Sequence, residues 1–181
     1  SGTVAVDAEG RHLSPAVIWM DSRGAPYVEE LVTGRINVAG YEPRRLKHWI
    51  SRTGGIPSHS GKDPIGHILW LRHERPDVYA ATHRFLEPCD YLNARITGRQ
   101  VASFDSIVAH WLTDNRDLGA VRYDRQLLDW CGLAESQLPP LVPSASIVGE
   151  VLPAVAAEWG IAEGTKVATA TGDVHSAVVG S

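Results

Sequence analysis

The order of strand and helix signals along the sequence predicts an α/β fold. Three observations carry that expectation. The chain opens on an alternating run, "TVAVDAEGRHL", that turns near Gly10. Its middle repeats apolar stripes at helical spacing. Its tail, "GTKVATATGDVHSAVVG", passes from a β-type run through Gly172 and Asp173 into a new apolar segment.

In the opening run Val4 and Val6 alternate with small and polar residues, and the turn from Asp7 to Gly10 returns through "PAVIWMD" as a hairpin. Three helices follow. "APYVEELVTG" sets Val28, Leu31 and Val32 on one face and stops at Gly34. "EPRRLKHWISRTGG" has Leu46, Trp49 and Ile50 as its stripe and Gly54 as its stop. "DPIGHILWLRHERPD" has Asp63 and Pro64 as cap and first turn, Ile65, Ile68, Leu69 and Leu71 as its apolar residues, and a break at Pro76. Shorter helices are expected in "EPCDYLNARITGR", closed at Gly98, and "RQLLDWCGL", closed at Gly132, with an extended, loop-like stretch between them. The tail reads as a helix to Trp159, a turn at Glu163 and Gly164, a strand from Lys166 to Thr171, and a helix after Asp173. No internal repeat or low-complexity linker interrupts this series.

A chain of 181 residues with 44% hydrophobic and 21% charged residues can bury a core, and one domain or part of one is expected. Seventeen basic against 21 acidic residues, without a dense Lys/Arg cluster, argue against nucleic acid or an anionic membrane as partner. No apolar run approaches the roughly 20 residues that span a bilayer. No basic head with an apolar middle opens the sequence at Ser1, so a cytoplasmic location is expected. Cys89 and Cys131 lie far apart without CxxC or metal-type spacing and read as ordinary buried thiols. The histidines, notably His59, His67 and His73, do not fall at i, i+4, so no metal site is expected. Neither GxxxxGK[ST], GxGxxG nor GxSxG occurs.

Two stretches could carry chemistry. A strand ending in Thr-Gly-Asp before a helix puts Asp173 at the carboxyl edge of a sheet, where open α/β folds keep ligands, and Gly172 allows a close approach. Asp is also a preferred helix N-cap, so position alone leaves cap and chemistry both open. In "VIWMDSRG", Trp19, Asp21 and Arg23 alternate outward from a short strand. They read either as a surface ion pair or as a polar corner of a polyol pocket, with Trp19 as wall and the charged pair ordering the turn.

Taken in order, "IWMDSR" at 18–23, "ILWLRHERPDVYAATHRFLEPCDYLNARITGR" at 68–99, "ASFDSIVAHWLTD" at 102–114 and "GTKVATATGDVHSAVVG" at 164–180 resemble the FGGY family of carbohydrate kinases. The resemblance implies a ribonuclease H-like, actin-like ATPase fold. Residues 1–181 would then be an internal part of its N-terminal, substrate-binding domain, incomplete at both ends, with the phosphate loop and the C-terminal domain absent. It implies that Asp173 takes the proton from the accepting hydroxyl of a sugar or polyol. It implies substrate contacts at Ser1, which matches the last position of a Gln-centred tripeptide, and at Ser58 with His59 beside it, before the "SG" that precedes the third helix. ATP and Mg²⁺ are implied as cofactors held largely outside this segment.

Ser58 stands where relatives often carry a larger Tyr or Arg, and Val174 where xylulokinase-like members have Asn. The expected activity is transfer of the ATP γ-phosphate to a sugar or polyol, with a ketopentose such as xylulose as the leading acceptor. A non-catalytic sugar-binding or scaffold module with an actin-like fold is the alternative. This segment alone is expected to be inactive. Apolar helix surface would be covered either by a homodimer partner or by the rest of the kinase.

Overall fold

In the computed structural model, residues 1–180 are described, except for the side chains of Val174, His175 and Val179. Ser181, expected in the first turns of the last helix, lies outside the described residues.

The elements run β1 (Gly2–Val6), β2 (Val17–Ile18), α1 (Ala25–Val32), α2 (Pro43–Thr53), α3 (Pro64–Glu74), α4 (Pro76–Ala81), β3 (Arg84–Leu86) and α5 (Pro88–Thr97). They continue with β4 (Ala102–Ser103), a 3₁₀ turn (Ile107–His110), β5 (Thr113–Asp114), β6 (Arg122–Tyr123), α6 (Arg125–Cys131) and β7 (Leu141–Val142). The last are β8 (Ile147–Glu150), α7 (Pro153–Trp159), β9 (Lys166–Ala168) and α8 (Asp173–Gly180).

The opening hairpin forms as expected, although its return strand is short: β2 pairs antiparallel with β1 through Gly2↔Ile18 and Thr3↔Val17. The other partner of β1 is β3, also antiparallel, which gives the order β2-β1-β3. Sequence reading missed β3, since "RFL" is too short to show a period. Every residue of β1 is buried because both faces of the sheet are covered. Val4 and Val6 pack with Leu86 and Ala94 of α5, whereas Ala5 and Phe85 join the larger core built on α1, α3 and α6. That division follows from the two-residue period of a strand.

Inside the larger core Trp49, Ile65, Ile68 and Leu112 are wholly buried, each worth about 1.5–3 kcal/mol relative to exposure. Trp49 also donates its indole N–H to the Trp111 carbonyl at 2.9 Å, so its polar edge is satisfied. The expected stripe of α2 shifts: Trp49 and Thr53 are buried, but Ile50 is 51% exposed. Ile50 follows Trp49 by about 100° of helix rotation, which carries it off the core face.

Helix ends largely follow the sequence signals. Gly54, Gly98, Gly132 and Gly160 close α2, α5, α6 and α7 in the left-handed region. Helix α1 instead stops at an extended Thr33, one residue before Gly34. The break expected at Pro76 is present: α3 ends at Glu74, Arg75 leaves the helical region, and Pro76 opens α4 as its first residue. Asp63 sits at the N-cap of α3, yet its carboxylate accepts the Ser58 amide at 2.7 Å rather than capping the helix.

The turn before α3 meets α1 at three glycines. A Cβ on Gly66 would lie 2.5 Å from the Gly61 carbonyl oxygen, and one on Gly24 would lie 2.4 Å from that of Gly66. Gly61 also has φ +67°, where a side chain is strained.

The expected strand 166–171 is shorter and differently placed. Strand β9 pairs antiparallel with β8, outside the three-stranded sheet, and leaves Thr169 to Gly172 as a connector into α8. Among the described residues no helix is long and apolar enough to cross a membrane.

Candidate active site

A cleft of about 670 Å³ opens where the start of β1, the N-terminus of α5, the 3₁₀ turn and the start of α8 converge. Ser1 and Trp19 form one side, and Trp19 is 58% exposed. Glu87, Pro88 and Cys89 come from the start of α5; Asp105, Ser106, Val108 and Ala109 come from the loop and 3₁₀ turn after β4. Thr171, Gly172 and Asp173 close the other side. Four residues singled out in the sequence, Ser1, Trp19, Gly172 and Asp173, are thus brought together from the two ends of the chain.

Asp173 is not the cap of α8. The Ser176 amide donates to the Gly172 carbonyl at 3.0 Å, which makes Gly172 the capping position and Asp173 the first helical residue. A carboxylate in the first turn is favoured by the helix dipole, and Asp173 is exposed.

The connector leading to Asp173 is held by two side chains and one backbone carbonyl from elsewhere. Asn93 of α5 donates to the Ala168 carbonyl at 3.1 Å, and the Thr169 amide donates to the Ser146 backbone carbonyl at 2.8 Å. Ser103 donates to the Ala170 carbonyl at 2.7 Å. Ser103 is itself fixed by Ser106, each hydroxyl accepting the other residue's amide at 2.9–3.0 Å.

Beneath the cleft lies a buried polar layer. Glu87 is 4% exposed; its Oε2 accepts the Gly2 amide at 2.9 Å, and its Oε1 lies 3.5 Å from Nε2 of the fully buried His110. Thr3 and His67 Nδ1 are 3.2 Å apart, and burial pushes the His67 pKa down. Burial pushes the Asp90 carboxyl up to about 7, against a hydrogen bond from Ser106 that favours its ionised form. Burial raises both thiols to about 12, so neither is a ready nucleophile. Cys131 is buried as expected, whereas Cys89 is partly exposed at the cleft wall.

The other expected site residues lie outside this lining. Arg23 makes a close ion pair with Asp21 at 2.5 Å and lies 3.7 Å over the Trp70 ring. Hydrogen bonding from Arg23 holds the Asp21 carboxyl below the ordinary range. The Arg23 amide also donates to Asp21 Oδ1 at 3.0 Å, so the pair orders the turn that follows Trp19. Ser58 is exposed, with its hydroxyl donating to Ser60 at 3.0 Å, and His59 packs against Tyr41 with ring centroids 4.4 Å apart.

Sequence reading missed Glu87, Asp105, Ser103 and Ser106 as contributors. A signal existed for the first: an acid directly before Pro88 marks the N-cap and first residue of a helix. The serines, three residues apart in a stretch with no period, gave none beyond a turn preference.

Known proteins resemble the chain along its whole course. A xylulose kinase from Streptomyces rubiginosus is 31% identical over 180 residues, covering 99% of this chain and 34% of that protein. The structure of a xyloylose kinase from Brucella ovis covers 96% of the chain and 32% of its own, with a TM-score of 0.77 and 27% identity. A ligand-bound xylulose kinase from Lactobacillus acidophilus reaches a TM-score of 0.80 at 18% identity, covering 99% of this chain and 34% of its own, and so speaks to the fold alone. The fold is therefore that of the actin-like, ribonuclease H-like sugar kinases. The chain spans about a third of the length of the curated relatives it matches. Residues 1–180 match the N-terminal domain of the FGGY family of carbohydrate kinases, and the chain belongs to that family.

Proposed function

We propose that the chain is the acceptor-binding part of a longer ATP-dependent carbohydrate kinase, with the cleft holding a sugar or polyol and Asp173 taking the proton from its reacting hydroxyl. The observation that carries this reading is the placement of Asp173 on the cleft wall, opposite Ser1 and Trp19, on a connector fixed by Asn93, Ser103 and Ser146. Phosphoryl transfer asks the protein mainly for position and electrostatics, with a carboxylate to receive the proton. A ketopentose such as xylulose is the favoured acceptor, in line with the names of the relatives.

ATP and Mg²⁺ belong to the proposed reaction, but this segment supplies little of their site. Among the described residues no group of His, Cys, Asp and Glu converges to hold a metal ion. On this reading their sites lie largely in parts of the kinase beyond these residues, and this segment alone is expected to lack activity. The free cysteines fit a reducing, cytoplasmic setting. The exposed Trp159 at the end of α7 and the nearby Ile161 would be covered either by a homodimer partner or by the rest of the kinase.

The test is Asp173→Asn in the full-length kinase. Removing a general base costs about 10²–10⁴-fold, so turnover with xylulose should fall by that much while the unfolding temperature stays unchanged. Unaltered turnover would remove Asp173 from the chemistry. Acceptor binding without turnover in the unsubstituted protein would favour a sugar-binding module.

A further inference from the structure

We propose that the cleft selects neutral polyhydroxy acceptors and excludes sugar acids, with Glu87 and Asp105 as the residues that enforce the choice. The proposal rests on the reading that this cleft binds the acceptor. Its starting point is the charge of the wall: Glu87, Asp105 and Asp173 all line the cleft, and among the described residues no lysine or arginine does. The candidates nearest in sequence are committed elsewhere: Arg84 donates to the Leu138 carbonyl, and Arg23 is held by Asp21 and the face of Trp70.

A second, independent observation concerns the helix ends. The N-terminus of a helix favours a bound anion when its amides and dipole are free to meet one. Two helices, α5 and α8, direct their N-termini to this cleft, and each already carries an acid of the chain. Glu87 is the N-cap residue of α5 and Asp173 the first residue of α8. The carboxylate of an aldonate would therefore meet an acid of the chain beside each of the two helix ends.

The position of Glu87 is not adjustable. Its Oε2 is tied to the Gly2 amide at 2.9 Å, and its Oε1 faces the buried His110 ring at 3.5 Å. Behind it His67 adds no compensating charge at neutral pH, because burial pushes its pKa down. Neutral polyols suit such a wall, since each hydroxyl can donate to a carboxylate oxygen. An acid brought to the same place meets like charge in a partly desolvated cleft, where repulsion is poorly screened and costs about tenfold or more in affinity.

The experiment uses the full-length kinase with saturating MgATP and compares kcat/KM for xylulose, glycerol and gluconate. Gluconate should lie at least about tenfold below the better neutral acceptor, and raising salt from about 0.05 to 0.5 M should narrow the gap. Glu87→Gln and Asp105→Asn should each raise the gluconate-to-neutral ratio by about threefold or more. The salt series on the unsubstituted protein decides the matter if either variant fails to fold. Gluconate used as well as the neutral acceptors, or a ratio unmoved by salt and by both folded variants, overturns the proposal while leaving the kinase reading intact. Failure to phosphorylate any of the three acceptors overturns both.

Discussion

Ser103 donates its hydroxyl to the Ala170 carbonyl at 2.7 Å, joining positions 67 residues apart and fixing the backbone three residues before Asp173. A short strand after α5 thereby sets the location of the acid on the opposite wall of the cleft. Ser103→Ala removes that tie, and with it the acceptor of the Ser106 amide in the cleft wall. Misplacement of a reacting group by about 1 Å can cost 10²-fold, so the full-length enzyme should lose about ten- to hundredfold in kcat. The check is steady-state kinetics together with thermal unfolding, where the loss in stability should be about 1–3 kcal/mol, since a buried amide loses its acceptor along with the bond to the Ala170 carbonyl.

Glu87 connects two layers, since its carboxylate serves the Gly2 amide on one side and faces His110 on the other. Glu87→Ala strands a buried amide at the strand that leads from Ser1, at a cost of about 1–3 kcal/mol. Glu87→Gln keeps an oxygen acceptor for Gly2 and should recover most of it. Denaturant midpoints of the two variants measure the difference, and equal losses would show that the Gly2 bond is not what matters.

Asp90 makes stability depend on pH. Burial raises its folded-state value to about 7 from 3.8, so the folded protein holds this proton more tightly than the unfolded chain. Its contribution is fully present below the unfolded value and is lost as pH rises through the folded one, with a slope of at most about 1.4 kcal/mol per pH unit. Asp90→Asn cannot titrate and should lack this component. Unfolding temperatures at pH 5 and pH 8 should show the unsubstituted protein losing ground to the variant as pH rises; parallel curves would place the titration elsewhere.

At Gly66 an added methyl group meets the Gly61 backbone oxygen at 2.5 Å, and the neighbouring turn cannot yield without disturbing Gly24. Gly66→Ala should therefore cost about 1–3 kcal/mol despite its higher helix propensity. Gly160, whose Cβ would meet nothing within 4 Å, is the comparison site. Its φ of +67° leaves backbone strain as the main cost of Gly160→Ala, and urea unfolding of both variants separates strain from crowding.

Much of the chain was legible in one dimension because helices announce themselves locally. The apolar spacing of α1, α3 and α5, the prolines at their first turns and the glycines past α2, α5, α6 and α7 are all short-range signals. The helix start at Gly172 and Asp173 was equally visible, although the strand before it ends at Ala168 rather than Thr171, and the order of such landmarks was enough to indicate the family. Strand pairing was not legible. Strand β3 is three residues long, and β9 pairs with β8 rather than with the central sheet, a choice made by partners distant in sequence.

The site divides the same way. The sequence by itself determined which residue types stood at Ser1, Trp19 and Asp173, and it suggested their chemistry. Only the tertiary structure decided that they share one cleft, that Gly172 rather than Asp173 caps α8, and that Asp21 and Arg23 order a turn outside it. It also brought in Glu87, Asp105 and Ser103, whose roles depend on where other segments pack. A period or a cap is set by neighbours a few residues away, whereas a cleft wall and a buried carboxylate are set by contacts between residues as far apart as 67 and 85 positions.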